Sequence, residues 1–222
     1  MRHRGPILVT KEKGTVSSRL IAVLLVAGSA LAQELKPVLL PKPQVEGGKP
    51  LMQALSLRKS EHSEYSSEKL PPQVLSNLLW AAYGVNRPDG RRTAPSANNA
   101  QSVEIYVALA EGLYRYDPKA HNLEPVSAED IRAAASKKAL AASVELIYVA
   151  DFAKLKGSDE SKAQNSWAET GFVGQNVYLF CASEGLATVV RGGIDREKLA
   201  PLMKLRPEQR ITLDQPVGYP KK

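Results

Sequence analysis

Arg58-Lys59-Ser60-Glu61-His62 brings two cations and a hydroxyl together in one short stretch. That set can hold a phosphate through charge-assisted hydrogen bonds and reach the polar edge of a flat ligand. Farther along, Arg92-Thr-Ala-Pro-Ser-Ala-Asn-Asn99 puts a proline and a serine in a rigid turn that offers a hydroxyl and backbone groups. A third stretch, Gly185-Leu-Ala-Thr-Val-Val-Arg-Gly-Gly193, ends in two glycines, which let backbone amides approach a planar ligand closely. Singly, these read as a solvated basic loop, a loop of turn formers and a strand with a Gly-Gly turn. In this order they lay out a pocket for a flat anionic cofactor.

Other chemistries find no support. His3, His62 and His121 have no paired metal-ligand spacing. Neither a Gly-x-Ser-x-Gly elbow, nor a Gly-x-Gly-x-x-Gly fingerprint, nor a Walker loop occurs. The single cysteine, Cys181, excludes an internal disulfide and a cysteine-based metal site. It lies in an apolar stretch, as a small buried hydrophobe does.

The elements that must position these residues follow from periodicity. A helix is expected from near Leu51 into Arg58. Another follows Pro71-Pro72, where Val74, Leu75, Leu78, Leu79 and Ala82 recur at helical spacing until Gly84. Val103–Leu109 alternates as a strand, turns at Glu111-Gly112 and returns through Leu113–Tyr116 as a hairpin. Ser127–Asp130 reads as a capping box opening an alanine-rich helix to about Leu140. Val144–Ala150, nearly continuous in apolar residues, reads as a central strand. Ser166–Glu184 is expected as a core helix in which Gly171 and Gly174 admit a second helix. Leu186–Val190 and Arg210–Gly218 are expected as strands, Arg196–Lys204 as a short helix, and 152–166 stays unassigned. Helices grouped around a small sheet make an α+β fold, in one domain of the 222-residue chain.

The N-terminus reads differently. Arg2, Arg4, Lys11, Lys13 and Arg19 precede an apolar run from Leu20 to Leu31, and Ala30-Leu31-Ala32 supplies a small-x-small cleavage pattern. The run is shorter than the ~18–20 residues a membrane-spanning helix needs. Residues 1–32 are therefore expected as a secretory signal, making the protein exported and periplasmic, with an uncleaved anchor or a misassigned start codon as the alternative. Residues 33–50, with four prolines and Gly47-Gly48, form an arm or linker, and 51–222 the domain. Of the 30 basic and 23 acidic residues, five basic and one acidic fall before residue 33. The small positive excess that remains does not suggest a nucleic-acid surface.

The three segments, with Gly174–Gly185 and Val217-Gly-Tyr-Pro220, resemble the nitroreductase-like FMN-dependent oxidoreductases, in particular the branch related to the SagB and thiazoline oxidase dehydrogenases. The resemblance runs from about Pro50 to the C-terminus. It implies a nitroreductase-like fold with a small mixed or antiparallel sheet, and FMN bound at a homodimer interface. Arg58, Lys59 and Ser60 match the first two cations and the serine of an Arg-Arg-Ser-x-Arg pattern that contacts phosphate, ribityl chain and ring. His62 stands where the last arginine would lie near the flavin N1 and O2 atoms, which puts the redox potential and its pH dependence in question. By position, Pro95, Ser96, Ala97 and one of Asn98 or Asn99 would meet the pyrimidine side of the ring. A backbone N–H within Arg191, Gly192 and Gly193 would face N5. Relatives carry further phosphate-binding basic residues beyond the last Gly-Tyr-Pro; here only Lys221 and Lys222 follow. The implied function is a ping-pong oxidoreductase of nitroreductase or dehydrogenase type, using NAD(P)H or another donor. The alternative is a flavin-binding or flavin-free module without turnover.

Overall fold

Both faces of the central strands are covered by helices, and that organises the chain. The computed structural model describes residues 35–62, 64–135 and 139–221, together with residues 1, 3 and 5. The chain divides into units 1–32 and 33–222, and the described strands and helices all belong to the second. Apart from those three residues, the segment expected as a signal lies outside the described residues. Strand β2 (Val103–Leu109) sends Val103, Ile105 and Val107 into one apolar cluster and Tyr106 and Ala108 into another. Strand β5 (Val144–Asp151) divides likewise, with Leu146 and Tyr148 on one side and Ile147 and Val149 on the other. A strand buried on both faces loses its polar alternation, so β5 reads as an unbroken apolar run.

The sheet has seven strands among the described residues, in the order β1-β4-β3-β2-β5-β7-β6, each neighbour antiparallel. The others are β1 (Val38–Leu39), β3 (Gly112–Asp117), β4 (Asn122–Ser127), β6 (Ala187–Thr188) and β7 (Gln209–Gly218). On the first face, helix α2 (Pro72–Tyr83) and the 26-residue helix α4 (Asp159–Glu184) supply Leu78, Leu79, Tyr83, Val173 and Val177. Helix α1 (Leu51–Leu57) lies against α4. On the second face, α3 (Arg132–Ala135) and α5 (Arg196–Leu202) frame Ile131, Leu199 and Met203. Full burial of each such side chain contributes about 1.5–3 kcal/mol. The α+β expectation holds.

Two local differences have physical reasons. The capping box expected at Ser127 does not form, because Asn122–Ser127 is a strand, and the helix that follows begins only at Arg132. Pro125 and Glu124 hide that strand in the sequence. β1 covers β4 only at Asn122 and Leu123, so Pro125 sits where no outer donor is needed. Helix α4 starts at Asp159, seven residues before the expected Ser166. Ser158 Oγ caps it by accepting the Ser161 N–H at 3.2 Å, and Asp159 and Glu160 suit the positive end of the helix. Gly185, with φ 72°, ends it in the left-handed conformation.

Residues 35–50 run against the sheet edge and α2. The Ser76 hydroxyl donates to the Pro41 carbonyl at 2.5 Å, and His121 bridges Ser76 (2.8 Å) and the Tyr116 hydroxyl (2.9 Å). Ser76 is wholly buried, so this Ser–His contact is a staple for the chain rather than a nucleophile. Among the described residues no helix is long and apolar enough to cross a membrane.

Candidate functional site

The basic loop after α1 is fixed by α4. The Arg58 N–H still donates to the Ala54 carbonyl at 2.9 Å, closing α1. The Arg58 guanidinium lies 5.4 Å from the Tyr178 ring centre, within cation–π range. Ser60 Oγ and the Tyr178 hydroxyl are 2.9 Å apart, and the same hydroxyl accepts the Val190 N–H at 2.8 Å. The Glu61 N–H donates to the Thr188 carbonyl at 2.9 Å, and Lys59 Nζ pairs with the Glu61 carboxylate at 2.6 Å. Tyr178 and β6 thus bring the Arg58–Ser60 loop beside the segment that leads into Arg191. His62 is exposed, and Lys221 folds back to pair with Glu64 at 2.6 Å. Lys222 lies outside the described residues.

The Arg191–Gly193 turn is held by the neighbouring strand. The Arg191 N–H donates to the Asp214 carbonyl at 2.8 Å, and the Asp214 N–H donates back at 3.1 Å. Arg191's amide is therefore used within the chain, which narrows any ligand-facing amide in this turn to Gly192 or Gly193. Both are exposed, and neither has a left-handed φ. A Cβ on Gly193 would meet nothing within 4 Å, and one on Gly192 only Leu213 Cδ2 at 3.5 Å. Neither backbone conformation nor packing inside the chain calls for glycine here. An open backbone face is what the pair provides. The Arg191 side chain turns inward, with Nε 3.1 Å from Asp214 Oδ1 and Nη2 bonded to Asp214 Oδ2 and to Glu145 Oε2 (2.9 Å).

The Pro95–Asn99 turn is anchored elsewhere. Glu169, buried on α4, accepts the Ala97 N–H at 2.7 Å and the Ser102 hydroxyl at 2.8 Å. Ser96 Oγ accepts the Gln101 N–H at 2.9 Å. Asn98, Asn99 and Gln101 have φ of 52°, 54° and 50°, so three non-glycine residues in four occupy the left-handed region. Strain of this kind persists where surrounding contacts over-determine it. Arg92 closes the far side: its Nε donates to Gln101 Oε1 at 3.0 Å, and its guanidinium lies 4.4 Å from the Tyr83 ring centre.

The structure brings two of the three sequence segments together and keeps the third apart. Tyr178 and Glu169 are nine positions apart on α4, about 13 Å of rise and half a revolution. The Arg58 loop and the Gly192-Gly193 turn therefore lie by one face of the helix, and the Pro95–Asn99 turn hangs from the other. Sequence reasoning missed both helix residues. Glu169 stands among Asn165, Ser166 and Thr170 and so carried no signal that sets it apart in the sequence; Tyr178 carried none beyond its hydroxyl.

Residues 55–219 match the nitroreductase family model. The chain belongs to the nitroreductase family. A nitroreductase homologue of Methanocaldococcus jannaschii is 31% identical over 159 residues, covering 64% of this chain and 79% of its own. The crystal structure of a protein from Ralstonia eutropha named as a nitroreductase superposes with a TM-score of 0.78 at 39% identity, over 84% of this chain and 90% of the other. A Staphylococcus epidermidis protein bearing the name NAD(P)H:FMN oxidoreductase shares the fold, with a TM-score of 0.60 at 14% identity, over 82% and 92% of the two chains. As a nitroreductase-family member, this chain has oxidoreductases for relatives.

Proposed function

We propose that the protein is an FMN-dependent oxidoreductase acting by a ping-pong mechanism, with a nicotinamide or another hydride donor. Within the family we place it with the SagB and thiazoline oxidase dehydrogenases, on the order of its sequence segments. The single observation that carries the flavin reading is the arrangement around Tyr178. It sets the Arg58 guanidinium and the Ser60 hydroxyl beside a turn whose two glycines expose amides that packing within the chain does not explain. A planar anionic cofactor fits that combination. Bound FMN would supply the chemistry, accepting hydride at N5 from one substrate and passing it to the next in the same pocket.

The chain's own residues bind and orient. Arg58 and Lys59 would neutralise phosphate, Ser60 would orient the polar edge, and His62 would sit near N1 and O2. The Gly192 or Gly193 N–H would face N5. Ser96, with Asn98 or Asn99, would meet the pyrimidine edge from a second copy of the chain. Two features support that homodimer. The half-sites hang from opposite faces of α4, and α4 also exposes Trp167 and Phe172, 46% and 48% accessible, around Gly171. A Cβ at Gly171 would meet nothing within 4 Å, leaving room for a partner to approach. The basic stretch and apolar run of residues 1–32 support export.

The test is flavin retention. Wild-type protein incubated with FMN and desalted should keep flavin absorbance bands, and Arg58→Ala should weaken binding about tenfold or more, since a charge-assisted contact contributes ~1.5–3 kcal/mol. Undiminished occupancy in the variant would remove Arg58 from the site. The non-catalytic reading draws on His62 replacing the usual arginine, and an absence of bands in the wild type would favour it.

A further inference from the structure

Below the Gly192-Gly193 turn lie two carboxylates and one cation. Glu145 on β5 and Asp214 on β7 both have 0% side-chain exposure, and both are bonded by Arg191 Nη2. Three ionised groups would leave one unbalanced negative charge in the interior, a costly arrangement. The two acids are not equivalent. Asp214 takes both Nε and Nη2 of the guanidinium, the forked geometry of an ionised carboxylate. Glu145 accepts from Nη2 alone, its buried Oε1 receives no donor, and its carboxyl is hydrogen-bonded to that of Asp214, which two carboxyl groups can manage only when one of them keeps a proton.

We propose that Glu145 carries a proton at neutral pH, and that its charge state sets the reduction potential of a flavin bound against the Gly192-Gly193 turn. The second half rests on the flavin reading above. Protonated, Glu145 leaves Arg191 and Asp214 as a balanced pair; ionised, it adds one negative charge beneath the turn and opposes electron gain by the ligand. The surroundings favour the proton. Burial, and then the charge of Asp214, push the Glu145 carboxyl well above the usual carboxylate range, with Arg191 opposing them. Asp214 is raised too, by burial, against the pull of Arg191. The other groups around Glu145 supply little compensating charge. Tyr65, before α2, and Tyr148, on β5, are held neutral by burial. The α4 residues Tyr178 and Cys181 act on these two tyrosines, and Cys181 is also kept protonated by burial. Arg132 on α3 feels Glu145 but is spent chiefly on Asp130, at 2.7 Å.

The experiment compares wild type with Glu145→Gln, which copies the protonated form. In FMN-loaded protein the two midpoint potentials should coincide at low pH. As pH rises, the wild type should fall below the variant by about 30 mV or more, a tenfold change for a two-electron couple. Superimposable potentials across the range would overturn the tuning role. A readout without cofactor accompanies it. A carboxyl raised in the folded state gives stability that is full below its unfolded value and is lost as pH climbs through the folded one. Apo wild type should therefore lose stability to urea as pH rises above the ordinary carboxylate range, and Glu145→Gln should lose less. An infrared carbonyl band from a buried protonated carboxyl in the wild type at neutral pH tests the same point without a variant; its absence would overturn the proton assignment. A wild type that takes up no FMN would fail the flavin reading and the tuning role together, while the apo profile and the band would still decide where the proton resides.

Discussion

The Ser96–Gln101 turn and the Arg191–Gly193 turn are two solutions to the same task of fixing an exposed turn to the body of the domain. The first uses non-glycine residues in left-handed conformations and fastens them from outside, through the Glu169 carboxylate. The second uses glycines in ordinary conformations and fastens the chain just before them, through a two-way backbone bridge and a buried ion pair to Asp214. Strain held by a side chain is local and easily released. A turn hung from the sheet is tied to the stability of the whole domain. Mutations at the two anchors should therefore separate in size and in kind.

The largest effect is expected at the second anchor. Asp214→Ala removes two charge-assisted bonds to Arg191 and leaves Glu145 as its remaining carboxylate partner, and should cost about 3–5 kcal/mol in urea unfolding. A loss under about 1 kcal/mol would mean that the sheet, and not the ion pair, holds the turn. Next comes Glu169→Ala, which leaves the Ala97 N–H and the Ser102 hydroxyl without their acceptor. About 2–4 kcal/mol should be lost, together with flavin retention. Glu169→Gln should recover much of both, because its amide can accept from Ala97 and meet the Ser102 oxygen. A glutamine variant no better than alanine would show that the carboxylate's charge matters more than its reach. The smallest effects sharpen the contrast. Asn98→Gly should gain about 0.5–1 kcal/mol by relieving a left-handed residue. Gly192→Ala should change stability by less than about 0.5 kcal/mol yet lower flavin affinity. Calorimetry with a binding titration on each variant would separate the two behaviours.

Much of the framework was legible because its signals are local. Pro71-Pro72 ahead of a helical apolar repeat located α2, and period-two alternation located β2. Strand β4 was hidden because its stability comes from neighbours on both sides rather than from Asn122–Ser127 itself. The start of α4 was in plain view as Ser158-Asp159-Glu160, yet the charged first turn masked a helix whose apolar character begins later. In the site, the segments that show backbone or charge could be picked out in order. Their anchors could not. Glu169, Tyr178, Glu145 and Asp214 act across elements, and their partners are decided only when α4 and the sheet come together.

Helix α4 has one more consequence, and it is genetic. In the proposed pair each copy lends one face of this rod to one pocket and the opposite face to the other. A mixed pair, one copy damaged at Arg58 and the other at Glu169, would gather both injuries into a single pocket and leave its twin whole. Two alleles that each fail alone would then partly rescue one another when expressed together, whereas two alleles damaged on the same face would not.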